Sequence, residues 1–105
     1  MITFHYSRNP LCLQTQGHAR SGEKGNDLIC AGVSTLMYTL AQTVRQLTEE
    51  GLAEGSLVEL EPGRGLVSCH AREGSPAEAV FNGIYTGLKT LAAHYPQYVQ
   101  EELTE

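Results

Sequence analysis

His18 and Cys30 are the two side chains of this sequence whose types and spacing suggest a reaction. The stretch GHARSGEKGNDLICAGVS, Gly17 to Ser34, ends a strand-like segment on a histidine, continues through a loop rich in glycine and charge, and places a cysteine just inside an apolar helical segment. An imidazole and a thiol at the two ends of one flexible loop can fold together as a nucleophilic pair. The thiolate would attack an acyl carbon and the imidazole would protonate the leaving amine. With Asp27 as the helix cap, Leu28 and Ile29 are the first two helical positions and Cys30 the third. There the free backbone N–H groups and the positive end of the helix dipole favour a thiolate. Gly17, Gly22 and Gly25 lend the loop its freedom. The plainer reading is a surface histidine and a small buried thiol, and the residues alone leave both open.

Other chemistries fit less well. Cys12 and Cys69 fall on separate strands without paired ligand spacing, so no metal site is expected. Both read as packing residues. The GEKGN segment, Gly22 to Asn26, lacks both dinucleotide and P-loop patterns, and Asp27 would repel an anion. A thiol redox sensor would need a resolving cysteine, for which Cys12 is the sole candidate. His5 and His70 read as strand surface residues, and His94 as a cation near a helix C-terminus. Asp27 either orients His18 or only caps the helix. Ser34, one helical turn after Cys30, either lines a substrate cleft or bonds back to the Cys30 carbonyl. The Cys30 backbone N–H is a candidate oxyanion donor.

The elements that must position these residues are legible from periodicity. Ile2, Phe4 and Tyr6 alternate with polar residues, which predicts a strand ended by the RNP turn. Leu11, Leu13 and Thr15 alternate with Cys12, Gln14, Gln16 and His18, a second strand that puts His18 on the glutamine face, away from the leucines. Ile29, Val33, Met37, Leu40, Val44 and Leu47 predict a helix from Asp27 to about Glu50, with Gly51 as its cap. Its first half is apolar nearly all round, which suits burial between layers or against a second subunit. SLVELE and GLVSCHA are two further strands joined by a Pro62–Gly63 turn of type II. Ser75, Pro76 and Glu78 form a capping box that opens a helix through Val80, Ile84, Leu88, Leu91 and Tyr95, closed by Pro96. The acidic QYVQEELTE end is expected to be an exposed tail or short helical turn. The expected fold is a single α+β domain over residues 1–105, two helices on a mainly antiparallel four-stranded sheet in the order ββαββα.

Composition narrows the function classes. A chain of 105 residues supports one core. The formal charge of −5 argues against direct nucleic-acid binding and suits a basic partner. No apolar run is long enough to span a bilayer, and the N-terminus lacks a secretory pattern, so a cytoplasmic protein with no membrane association is expected. The odd set of three cysteines, without a CxxC, fits reduced thiols in that compartment. The loop from Arg20 to Asn26 has no apolar anchor, and is expected to be mobile until a bound peptide closes it.

GHA, then seven residues, then DLICAGVS resembles the motif of the ribosomal-processing cysteine proteases, the YsxB-like proteins. Gly17, His18, Ala19, Gly25, Asp27, Cys30 and Ser34 carry the resemblance. It implies a cysteine endopeptidase of the cytoplasm that needs no cofactor. Its substrate would be the N-terminal extension of large-subunit ribosomal protein 27, cut after an apolar, aromatic-containing segment. The extension would otherwise obstruct the peptidyl-transferase region. The resemblance makes Cys30 the nucleophile and His18 the general base and acid, gives Asp27, Ser34, Gly17, Ala19 and Gly25 supporting or substrate-binding roles, and implies a homodimer. The alternative from another class is a non-catalytic, ribosome-associated binding module of the same fold.

Overall fold

The computed structural model describes residues 1–18 and 25–102, with the side chains of residues 25–27 excepted. Its elements run β1 (Ile2–Ser7), β2 (Leu11–Gly17), α1 (Gly25–Glu49), β3 (Glu54–Glu61), β4 (Arg64–His70), α2 (Pro76–His94) and β5 (Val99–Glu101). The sheet order is β3-β4-β2-β1-β5. Neighbours are antiparallel except β5, which lies parallel to β1 with Ile2 opposite Val99. The sheet is therefore five-stranded and mixed, not the expected four-stranded antiparallel one.

The extra strand comes from the supposed tail. Its acidic composition hid one buried residue, Val99, which is fully enclosed. The Ile2 N–H donates to the Tyr98 carbonyl at 2.7 Å, and the Glu102 N–H to the Phe4 carbonyl at 2.7 Å. The backbone groups at the free edge of β1 thereby find partners, which an isolated reading of the last residues could not foresee.

Both helices cover one face of the sheet. α1 packs on β3 and β4, and α2 on β2 and β5. All six residues of the α1 apolar stripe, Ile29 through Leu47, are buried. They meet Phe4, Leu13 and Val67 from the sheet and Phe81 and Leu88 from α2. Burying each such side chain contributes about 1.5–3 kcal/mol. The two helices also touch each other, Leu36 against Gly87 and Leu91 against Gly32. The apolar surround of α1 is thus largely covered within the chain, leaving Leu28 and Tyr38 as its large exposed apolar side chains.

The helix ends follow local chemistry. At the close of α1 the Gly51 N–H bonds the Thr48 carbonyl at 3.1 Å and the Leu52 N–H the Leu47 carbonyl at 2.8 Å, the Schellman pattern. Ser75 caps α2 by accepting from the Glu78 N–H at 3.3 Å. The Glu78 carboxylate reaches one residue further than a capping box requires, to the Gly74 N–H at 3.1 Å, because the Ser75 N–H already donates to the Arg72 carbonyl. At its start, α1 departs from expectation. It begins at Gly25, so Asp27 is the third helical residue rather than the cap.

The Arg20–Asn26 loop expectation, and that for Ala19, fall on positions of which 19–24 lie outside the described residues. Among the described residues no helix is long and apolar enough to cross a membrane.

Candidate active site

Three segments that are distant in sequence converge on a cleft of about 410 Å³. The end of β2 supplies Thr15, Gly17 and His18. One side of α1 supplies Cys30, Val33, Ser34, Met37 and Tyr38, and the β3–β4 turn supplies Leu60 through Gly65. Ile2, from β1, lines it as well. The volume is that of a small-ligand or peptide side-chain pocket. Ile2, Val33, Met37 and Leu60 make the interior apolar, while His18, Ser34, Glu61 and Arg64 add the polar groups.

The residues singled out by chemistry therefore meet. His18 is exposed, Cys30 is half-buried, and both line this cleft with Gly17 and Ser34. Cys30, Ser34 and Tyr38 follow one another at intervals of four along α1, so they share one flank of the helix. Among the described residues the threonines of α1 are those that bond back to helix carbonyls, as Thr35 does to Ala31 at 2.7 Å; Ser34 faces the cleft instead. Gly25 opens α1. The Asp27 side chain is not described.

His18 corrects the strand reading. Alternation along β2 assigns it to the glutamine face, yet it stands on the helix-covered side with Cys30 and Met37. The cause is Gly17, whose φ of +101° breaks the extended pattern just before the histidine. Only glycine adopts that conformation freely. A Cβ on Gly17 would also stand 2.1 Å from the Met1 carbonyl oxygen. Around this bend the backbone is pinned twice: the Gly17 N–H donates to the Gly63 carbonyl at 2.9 Å, and the Met1 amine donates to the His18 carbonyl.

The earlier start of α1 changes the electrostatics of Cys30. It is the sixth helical residue, and the field of a helix N-terminus falls off within the first turn. Its amide also belongs to the hydrogen-bonded body of the helix, directed at the carbonyl four residues back, so it does not serve as the free oxyanion donor expected from the sequence. The described group of the cleft that could take up the thiol proton is the His18 imidazole. Cys69 is fully buried, and burial pushes its thiol pKa up, which keeps it protonated and inert.

Sequence reasoning missed the β3–β4 turn as part of the site. Pro62–Gly63 is readable as a turn, and Gly63 has the φ of +78° that type II geometry requires. Nothing local says that the turn abuts His18, because the contact arises only when β4 pairs with β2, setting Arg64 opposite Gln16. A larger cleft of about 750 Å³ lies around Gly51–Glu54 and His70–Pro76, and no cysteine lines it. Among the described residues no group of three or more His, Cys, Asp or Glu side chains could hold a metal ion.

Comparison with known proteins places this geometry in context. Residues 1–100 match the family described as cysteine protease Prp. The fold is that of the essential ribosomal processing protease Prp from S. aureus, solved with a covalently linked product peptide. That match has a TM-score of 0.78 and 20% identity over 99% of this chain and 100% of the other. The same enzyme with a substrate peptide matches with a TM-score of 0.77 and 19% identity over 99% and 100% of the two chains. SMU.848 from Streptococcus mutans matches with a TM-score of 0.68 and 24% identity, over 96% of this chain and 90% of that one. A search of curated protein sequences finds no match.

Proposed function

The chain belongs to the cysteine protease Prp family, and from that premise we propose that it is an endopeptidase that removes the N-terminal extension of large-subunit ribosomal protein 27, with Cys30 as nucleophile and His18 as general base and acid. The observation that carries this reading is the convergence of His18, from the end of β2, and Cys30, from α1, on one apolar-lined cleft. The S. aureus protease holds a covalently linked product peptide, and a covalent enzyme–peptide species calls for a nucleophile, for which Cys30 is the candidate here.

The chemistry follows from the two groups. His18 takes the thiol proton as the Cys30 sulfur attacks the scissile carbonyl carbon. The tetrahedral species collapses to a thioester, the C–N bond breaks, and His18 returns the proton to the leaving amine. A water then attacks the thioester carbonyl, giving its proton to His18. The C–S bond breaks, the acid product leaves and the thiol is restored. Ile2, Val33, Met37 and Leu60 suit an apolar substrate side chain. The net charge of −5 suits a basic ribosomal protein as partner.

The test is cleavage of a peptide carrying an apolar, aromatic-containing extension, read by product mass. Wild type is expected to cut once, and Cys30→Ala and His18→Ala to be folded and inactive. Retained cleavage by Cys30→Ala overturns the mechanism, and binding without cleavage by the wild type favours a non-catalytic module. The homodimer belongs to the same proposal. Leu28, 76% exposed on α1, is the apolar group a second copy would cover. Light scattering at micromolar concentration is expected to give twice the monomer mass, reduced to one in Leu28→Glu; a wild-type monomer excludes the dimer.

A further inference from the structure

Gly63 answers two demands, and the type II turn accounts for only one of them. The turn requires the φ of +78°. It does not require that the space beside the residue be filled, yet a Cβ on Gly63 would stand 2.4 Å from His18 Nε2, 2.9 Å from Cε1 and 3.3 Å from Cδ2. Gly51 and Gly74 have nearly the same φ, +77° each, and nothing within 4 Å of the corresponding position. A positive φ therefore does not by itself bring crowding; where it occurs it comes from the neighbours, the Met1 carbonyl at Gly17, the His70 ring at 3.0 Å at Gly55 and the His18 ring at Gly63.

The backbone around His18 is held by the Gly17 N–H on the Gly63 carbonyl at 2.9 Å and by the Met1 amine on the His18 carbonyl. Those bonds leave the two side-chain torsions of His18 undetermined. Among the described residues no hydrogen bond reaches its ring nitrogens, and the bare backbone of Gly63 is a surface that restricts the imidazole. Resting on the His18–Cys30 reading above, we propose that Gly63 is a positioning residue: its lack of a side chain seats the His18 imidazole and holds it in the orientation that serves Cys30. A methyl group at that place forces the ring to move, since the ring is the end of a two-torsion side chain whereas the turn backbone is held by the Gly17 N–H on the Gly63 carbonyl and by the Glu61–Arg64 pairing that closes the hairpin. Displacing a reacting group by about 1 Å can cost a hundredfold in rate.

The experiment compares Gly63→Ala with Gly51→Ala in the full chain. The two variants share the φ penalty, and only the first meets His18. Thermal unfolding is expected to fall by similar amounts in both. With an extension peptide, Gly51→Ala should keep the wild-type kcat and pH profile. Gly63→Ala should lose about ten- to a hundredfold in kcat with little change in KM, and the limb of its pH profile that reports the imidazole should move. Gly63→Ala with Gly51→Ala-like kcat and pH dependence overturns the proposal, as does a loss confined to KM, which would make the turn a peptide contact only. Should Gly63→Ala not fold, the wild type decides: nuclear Overhauser contacts from the Gly63 Hα protons to the His18 ring protons support the seat, and their absence overturns it. Cleavage by His18→Ala or Cys30→Ala would sink the catalytic pair itself, whereas loss there with full activity in Gly63→Ala sinks this inference alone.

Discussion

The Gly17 N–H donates to the Gly63 carbonyl at 2.9 Å, joining the end of β2 to the β3–β4 turn at the point where the chain bends toward the cleft. One residue further on stands His18. Gly17→Ala attacks this junction, since its φ of +101° suits only glycine and a Cβ would lie 2.1 Å from the Met1 carbonyl oxygen. The neighbour there is backbone and cannot swing away. The expected loss is about 1–3 kcal/mol of stability, together with cleavage activity, read by denaturant unfolding and by peptide turnover. Wild-type stability in this variant would show that the bend at residue 17 is not held as described.

The three thiols should separate by reactivity. Cys30 is half-buried in a cleft that His18 also lines, Cys12 is buried, and Cys69 is fully enclosed with its thiol pushed up by burial. Iodoacetamide near neutral pH is expected to label Cys30 first, as read by peptide mass mapping of the folded protein. Equal rates for all three would mark Cys30 as a structural cysteine.

Tyr38 lines the cleft while 57% exposed, so much of its ring is not committed to the core and is open to a bound peptide. Tyr38→Ala is expected to raise KM for an apolar extension peptide several-fold while changing stability by less than about 0.5 kcal/mol. An unaltered KM with a lowered melting temperature would assign the ring to folding instead.

Tyr85 and Glu101 tie the edge strand β5 to α2 through a hydrogen bond from the phenol to the carboxylate. That bond, with smaller contributions from burial and from the carboxylate charge, raises the Tyr85 pKa above its ordinary value of 10.0. A folded-state pKa above the unfolded one means that the contribution is fully present below the unfolded value and is lost as pH rises through the folded one. Unfolding free energy should therefore decline in the alkaline range above about pH 10, and Tyr85→Phe should flatten that decline while lowering stability at neutral pH. A variant with the wild-type alkaline profile would rule this link out.

Much of the molecule is determined by short-range pattern. The α1 stripe from Ile29 to Leu47 is buried at all six positions because a 3.6-residue period can serve only one helix face. Ser75 caps α2 and Pro62–Gly63 turns the chain because each residue type satisfies a local backbone requirement. The His18 and Cys30 pair is likewise visible as residue types at the ends of one loop. Tertiary structure alone decided three things. β5 forms because Val99 finds a cavity and the β1 edge offers backbone partners, neither of which is written in an acidic tail. His18 faces the helix side because the Gly17 bend overrides strand alternation, a choice stabilised by partners at Met1 and Gly63 that are far away in sequence. The turn becomes part of the site because pairing of β4 with β2 carries Gly63 against the imidazole. Local periodicity specifies which face of an element is apolar, whereas the surroundings of a side chain at an element's end depend on which distant segments the sheet brings there.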